Sequence, residues 1–411
     1  MTTVLVIGYV WPEPNSSAAG THMMSLLNLF KKQNWRVIFA TPAQHSDHMV
    51  DLSQFGIESN AITLNDSSFD HYLEEVSPDI VMFDRFMMEE QFGWRVRKSA
   101  PNAMAILDTE DLQCLRNARH LAHKQSRSMT NSDLFTSDIA KREIAAIARS
   151  DLSLIISSYE YELLTTAFNI DPKILHHLPF MVSKTHVNSL PYSNREHFVV
   201  IGNFRHAPNW DSVLYLQQLW PLIRKQLPKA ELHIYGSYPP PKATALHNVK
   251  QGFMIKGWAD DALEVIGQAK VCLAPLRFGA GIKGKLLDAM LVSTPSITTD
   301  IGIEGMTDGN EWPGAIANDA EQFVQQAINL YQNEDEWNRA VANCGSALEM
   351  FDAAPLGLRL IESIHGIQST LTQHREDNFL GAMLNHHSMK STQYMSQWIE
   401  VKNKLETIEH N

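Results

Sequence analysis

The stretch Leu276-Arg-Phe-Gly-Ala-Gly-Ile-Lys-Gly-Lys-Leu-Leu-Asp-Ala-Met290 decides how the chain is read, because it joins the apolar run Lys270-Val-Cys-Leu-Ala-Pro275 to a helical pattern through a glycine-rich loop. Gly279, Gly281 and Gly284 let the backbone turn tightly and approach a ligand. The free amides at the start of the following helix, from Gly281 through Ile282 to Lys285 with Lys283 and Lys285 beside them, make a site for a pyrophosphate. Asp288 lies one turn further on, where a carboxylate accepts hydrogen bonds from ribose hydroxyls. A tight turn with two solvated lysines is the plainer alternative. Lys285 is followed by Leu286, so the GxxxxGK[ST] spacing of a nucleoside-triphosphate hydrolase is not met, and neither is GxGxxG.

Working outward, the same strand, loop and helix alternation recurs on both sides. His197-Phe-Val-Val-Ile-Gly202, Glu231-Leu-His-Ile-Tyr-Gly236 and Pro295-Ser-Ile-Thr-Thr299 read as further strands of a second half. In the first half, Val4–Gly8, Arg36–Ala40, Asp79–Phe83, Ala103–Leu107 and Leu152–Ile156 read as strands, with helices near 21–33, 88–98, 138–149 and 159–168. Short apolar runs alternating with amphipathic segments predict parallel sheets with helices on both faces. Between the halves, Pro179–Arg195 loses periodicity and gathers turn residues, as an interdomain linker does. Beyond 351 no strand-like run occurs. Tyr394, Trp398, Val401 and Leu405 fall at helical spacing and predict an amphipathic helix that either caps the second domain or crosses back to the first.

Length and composition bound the class. At about 150 residues per domain, 411 residues predict two to three domains. Usage that is 44% hydrophobic and 19% charged is that of ordinary globular proteins. A net charge of −12 disfavours generic nucleic-acid binding while leaving room for a local cationic pocket. Cys114, Cys272 and Cys344 are scattered, with no CxxC, so neither a disulfide framework nor a zinc site is indicated and a reducing cytoplasm fits. The opening residues lack the features of a signal peptide, no stretch reaches the ~18 apolar residues of a membrane span, and any membrane contact is expected to be peripheral.

Two open α/β sheets in tandem face their ligand-binding crevices across a cleft, which suits two substrates. Within Gly202-Asn-Phe-Arg-His-Ala-Pro-Asn-Trp210, Arg205 is placed to reach a diphosphate bidentately, and Asn209 reads as a helix N-cap. In the first half the loop from Tyr9 ends in small residues at Gly20, where a ligand can come close. Asp84-Arg85-Phe86 and Asp108-Thr-Glu-Asp-Leu112 close two strands on the cleft side. Their acids suit acceptor hydroxyls or developing positive charge, although Asp111 has Arg116 nearby as an ion-pair partner. A metal site from Asp108, Glu110 and Asp111 is not expected, since no histidine or further carboxylate completes a shell. His22, His176-His177 and His386-His387 lack HExxH spacing and read as structural or loop histidines, and no GxSxG elbow is present.

The stretch 274–290, followed by Thr294-Pro-Ser-Ile-Thr-Thr-Asp-Ile-Gly-Ile-Glu-Gly-Met306, resembles the donor-binding core of the group 1 glycosyltransferases of the GT-B fold. Supporting matches are Gly202 with Arg205, the strand ending at Gly236, Lys256-Gly-Trp258 before Asp260-Asp261, and Leu152–Glu160. The resemblance implies two Rossmann-like domains, 1–185 on the acceptor side and 196–350 on the nucleotide-sugar side, with 351–411 a helical region crossing back to the first. It implies retaining transfer of a sugar from a nucleotide sugar to a glycan, lipid-linked or protein acceptor, as in polysaccharide biosynthesis. Arg205, Lys285 and the Gly281–Lys285 amides would hold the diphosphate, Asp288 the ribose, and the backbone at Gly257 and Trp258 the base. Arg205, Lys285 and Asp111 would serve catalysis, and Gly20, Asp84 and Asp108 the acceptor. No metal and no cofactor beyond the donor is implied, because basic side chains and helix amides stabilise the leaving diphosphate.

One departure stands out: many relatives carry a glutamate where this chain has Ala280. The basic residue or histidine that many place after the fifth strand is also not evident, with Asp108–Asp111 in that region instead. A non-catalytic nucleotide-sugar or glycan-binding protein of the same fold is therefore the rival reading, and a sugar-nucleotide epimerase a third.

Overall fold

The computed structural model describes residues 1–183 and 189–409. Two sheets, every strand pair in them parallel, form its frame. The first holds β1 (Thr3–Ile7), β2 (Arg36–Thr41), β3 (Glu58–Ala61), β4 (Ile80–Asp84), β5 (Met104–Asp108), β6 (Leu152–Ile155) and β7 (Leu175–His177), in the order β3-β2-β1-β4-β5-β6-β7. The second holds β8 (Glu196–Ile201), β9 (Leu232–Tyr235), β10 (Phe253–Gly257), β11 (Ala269–Ala274), β12 (Ser296–Thr298) and β13 (Gly314–Ile316), in the order β10-β9-β8-β11-β12-β13. Each order reverses once, between β1 and β4 and between β8 and β11. Those switch points are where an open α/β sheet leaves a crevice at its strand C-termini.

The central strands are continuous apolar runs because helices cover both faces. β1 is the clearest case. Leu5 and Ile7 join the core on one face with Phe83, Phe92 and Leu107, while Val4 and Val6 join the other with Leu26, Phe30 and Met82. The four unexpected strands lie at or near sheet margins. β3 reads Glu-Ser-Asn-Ala and is wholly exposed, so it carries no apolar signature. β7 takes in His176 and His177, which the sequence left as structural or loop histidines. β10 and β13 are an edge strand of five residues and one of three.

The chain returns to the first domain just after the second sheet. Val182 donates to the Phe351 carbonyl at 2.9 Å and its own carbonyl accepts from Ala353 at 3.0 Å. The helix Ala353–Ser369 then lays Leu356, Leu360 and Ile364, spaced one turn apart, into the core with Leu26 and Phe30. Further on, Arg375 holds the Asp151 carboxylate with two hydrogen bonds of 2.8 Å. The long helix Phe379–Glu409 packs on the helices Phe86–Ser99 and Asp138–Arg149. Its seam is not the expected one: Tyr394, Trp398, Val401 and Leu405 face solvent, with Trp398 62% exposed. Met389 and Ser396 are buried instead, and Arg95 joins Glu400 (3.2 Å) to Asp70 (2.8 Å) across the seam. Spacing gives an apolar stripe but not which stripe meets the partner. The 185 boundary and the middle of the Pro179–Arg195 linker lie outside the described residues.

Candidate active site

The two crevices face each other across tightly packed contacts. The helix Gly284–Leu291 rests against the start of the helix Ala18–Lys32 so closely that a Cβ on Gly284 would stand 2.4 Å from Ala18 Cβ. Ile156 and Phe180 of the first domain share one apolar cluster with Ile282, Leu286, Met290 and Met306 of the second.

On the second-domain side, β8 ends at Gly202 and β11 leads into the glycine-rich loop. Lys285, second residue of its helix, donates to Asn209 Oδ1 at 2.6 Å, and its Nζ lies 3.0 Å from where a Cβ of Gly202 would stand. A side chain at 202 would therefore displace that ammonium. Asn209 does not cap a helix: the helix starts at Ala207, and Asn209 bridges Lys285 to the Asn203 carbonyl. The amides of Gly284 and Lys285 open their helix without intrahelical acceptors, beside the Lys285 charge. Burial lowers the Lys285 ammonium to about 8. Asp288 is pushed up to about 7 by burial and then by Asp261, and its carboxylate accepts no hydrogen bond among the described residues. Arg205 lies over the Tyr238 ring, 3.6 Å from its centroid, and has no carboxylate partner among the described residues.

Lys283, which the sequence set beside Lys285, points elsewhere: it is buried and donates to the Gly281 carbonyl at 2.6 Å. The Gly281 amide is likewise taken, by Glu160 Oε1 at 2.8 Å. Ile282 is buried in the interdomain cluster. Gly257, at φ +76° with open space around its Cα, ends β10, and Trp258 follows it. The ring of His48 from the first domain stacks on Trp258 at 3.9 Å and 3°. Beside them, Glu13 accepts from Tyr238 at 3.1 Å and Ser16 donates to Ser237 at 3.0 Å, closing the cleft at its outer end.

The first-domain wall holds more charge but has already used it. Asp84 accepts from the Tyr9 amide at 2.9 Å and lies 3.5 Å from Arg85, and burial raises its carboxyl. Asp108 accepts from the Glu110 amide at 3.2 Å and stands 3.6 Å from His22. His22 is buried, which opposes its charging, yet Asp108, Glu110 and Asp84 together raise it to about 9. Glu110 is pushed up to about 8 by burial and then by Asp108. Arg85 and Glu110 both adopt positive φ, +69° and +58°, a strained backbone for such residues that functional sites often keep. Asp84 Oδ1, Asp108 Oδ2 and His22 Nδ1 have no described partner. Gly20, the third residue of its helix, is buried where a Cβ would meet the Glu13 backbone at 2.4 Å. Asp111 is paired with Arg116. Burial would raise its carboxyl, but Arg116, His206 and Arg85 outweigh that and hold it low. Among the described residues, no three His, Cys, Asp or Glu side chains are grouped so as to hold a metal ion.

Between the walls lies a cavity of about 240 Å3 lined by Arg116, Asn117 and His120 of the first domain and Arg205, His206 and Phe278 of the second. His120 stacks on Phe278 at 4.4 Å, giving one flat aromatic side. The structure thus brings Gly202, Arg205 and Lys285 to one crevice, sets Asp111 against Gly281, and leaves Asp84 and Asp108 behind the surface. Sequence reasoning paired Arg116 with Asp111 but missed its place on the cavity, and missed His120 and His206 there, His22 beside Asp108, and Glu160 and Arg119 against the glycine loop. The cavity groups meet only across the domain interface, so no local spacing carries them. Glu160 alone had a signal, since it opens a helix directly after a strand end.

Residues 195–333, most of the second domain, match the family described as glycosyl transferases group 1. The whole chain has the GT-B fold. It is similar to sucrose-phosphate synthase from Thermosynechococcus elongatus, with TM-score 0.67 and 14% identity over 90% of this chain and 100% of that one. HepE of Anabaena, solved with UDP and glucose, gives TM-score 0.65 and 11% identity over 89% of this chain and 100% of the other. TarM of S. aureus, solved with fondaparinux, alpha-GlcNAc-glycerol and UDP, gives 0.67 and 10% over 90% and 100%. A curated relative, an uncharacterised 44.6 kDa protein of the Klebsiella pneumoniae cps region, is 29% identical over 141 residues, 32% of this chain. The matched part spans 36% of that relative's length. Among the described residues no helix is long and apolar enough to cross a membrane.

Proposed function

We propose that the protein is a glycosyltransferase that moves a sugar from a nucleotide sugar to a hydroxyl acceptor with retention of configuration. The observation that carries this is the convergence of Lys285, Arg205 and the Gly284–Lys285 amides on the switch point of the second sheet, with no carboxylate among the described residues spending either cation. A diphosphate leaving group there meets two charges and a helix N-terminus, so departure needs no metal ion. Asp288, unpartnered and one turn along, suits the ribose hydroxyls, and the open backbone at Gly257 with the Trp258 face suits the base. The relatives solved with UDP support a nucleoside diphosphate as the group held.

In this reading, residues 1–185 carry the acceptor, 196–350 the donor, and 351–411 tie the two together. The acceptor hydroxyl enters through the cavity beside Arg116 and His120 and attacks on the face the leaving group vacates. Asp111 serves the reaction by holding Arg116, while Gly20, Asp84 and Asp108 shape the wall behind it. Glycan, lipid-linked and protein acceptors all fit this scheme. The cps-region relative supports a polysaccharide acceptor, and the reading sets the transfer in the cytoplasm. The exposed edge of Tyr394, Trp398, Val401 and Leu405 supports peripheral contact with a membrane, which co-sedimentation with lipid vesicles checks.

Incubation with a panel of nucleotide sugars tests the reading. Slow donor hydrolysis without an acceptor is expected. Nucleotide binding with complete inertness would instead favour the non-catalytic binding protein, to which Ala280 points.

A further inference from the structure

The glycine-rich loop of the second domain is shaped by the first. Glu160, in the first turn of the helix Ser158–Thr166, is fully buried, and its Oε1 accepts from two amides, Leu112 at 3.0 Å and Gly281 at 2.8 Å. One carboxylate oxygen thereby ties the loop after β5 to the loop after β11. Arg119 adds a second tie: it donates to the Gly279 carbonyl at 2.8 Å while both its terminal nitrogens hold Glu304 at 2.6 Å. Between these anchors Ala280 packs its methyl into the core of the first domain. Lys283 closes the set on the Gly281 carbonyl. Gly281 itself takes φ +64°, and a Cβ there would lie 2.7 Å from Asp111 Cβ, so the loop has no room to shift while the domains are closed. Glu160 Oε2 is buried without a described partner, which makes an oxygen acceptor rather than an ion pair the function of this side chain here.

We infer that Glu160 and Arg119 are positioning residues for the donor diphosphate: from the opposite domain they fix the 279–283 segment, and hence the direction of the amides that follow it. The ligand in this statement rests on the glycosyltransferase reading; the loop geometry does not. If the domains part, the Gly279 carbonyl and the Gly281 amide lose their partners and the loop regains its conformational freedom. The competent fraction falls and the apparent nucleotide affinity falls with it, while bound nucleotide favours closure by the same factor.

Hydrogen exchange of the peptide covering 277–286 in the ligand-free protein, paired with calorimetric titration of UDP and the other nucleoside diphosphates, tests this. Wild type is expected to show slow exchange at Gly281. Glu160→Gln, which keeps an oxygen acceptor, should match it within about twofold. Glu160→Ala and, independently, Arg119→Ala should raise exchange of the segment and weaken nucleotide binding at least tenfold, with donor KM changing more than kcat. Arg119→Ala acts through a different helix, so a Glu160 variant that fails to fold still leaves a decisive result. Unchanged exchange and affinity in both alanine variants overturns the inference. A wild type that binds no nucleotide while its loop still loosens in Glu160→Ala overturns the glycosyltransferase reading and leaves the loop-positioning role standing.

Discussion

The two walls of the cleft are built from the same topology and treat charge in opposite ways. On the second-domain wall, Arg205 and Lys285 carry positive charge with no carboxylate partner among the described residues, and Asp288 carries an acid with no donor. On the first-domain wall Asp84 and Asp108 are buried and engaged with Arg85, His22 and backbone amides, and Asp111 is bound to Arg116. Charge left unspent at a switch point is available to a ligand. Charge already paired inside a wall holds that wall in shape.

Substitutions that remove the unspent charges should have the largest effect on ligand binding. Lys285→Ala is expected to weaken nucleotide-sugar binding about 100-fold, and Arg205→Ala about tenfold or more, by calorimetry, as loss of charge-assisted hydrogen bonds dictates. Wild-type affinity in both would erase the distinction between the walls. Asp84→Asn should act the other way. It removes one of the charges that face the part-buried Arg85, leaving Glu110, Asp111 and Asp108, and so costs about 1 kcal/mol and lowers Tm by roughly 2–4 °C, while nucleotide affinity stays within about threefold. A variant with unaltered Tm and lost nucleotide binding would move Asp84 into the donor site.

A pH series sharpens the comparison further. Lys285 binds an anion only when protonated, so affinity should fall as pH rises through about 8. Asp288 accepts ribose hydroxyls best when ionised, so affinity should also fall as pH drops through about 7. The expected profile is a narrow bell between those values, with the acid limb lost in Asp288→Asn. The smallest effect belongs to His48→Ala. It removes a ring stacked on Trp258 and should change nucleotide affinity by about threefold, the scale of one aromatic contact.

The sequence made the second wall legible because its residues are contiguous. Leu276–Met290 carries loop, helix start and charge within fifteen positions, and Gly202 with Arg205 follows its own strand end. Alternating apolar runs likewise disclosed the central strands, whereas exposed β3 and three-residue β7 and β13 bury too little side chain to show. The first wall was legible only as a set of acids. That His22 lies against Asp108, and that Arg119 spans 185 positions to Glu304, follow from how two sheets close on one another. The direction of Lys283 is hidden for the same reason: adjacency to Lys285 in sequence does not reveal that its ammonium turns to the Gly281 carbonyl. The C-terminal helix shows the limit of periodicity, since its apolar spacing is real but faces solvent.

The most direct test of the central claim is a thermal-shift titration of the wild-type protein and Lys285→Ala with UDP, GDP, ADP and CMP. Ligand at about 100 times Kd stabilises the folded state by about 2.7 kcal/mol, which raises Tm by several degrees. At least one of the four is expected to do so in the wild type and to lose the effect in Lys285→Ala. A wild-type Tm that none of them moves, or a shift that survives in Lys285→Ala, would contradict the placement of the donor diphosphate on the second-domain wall.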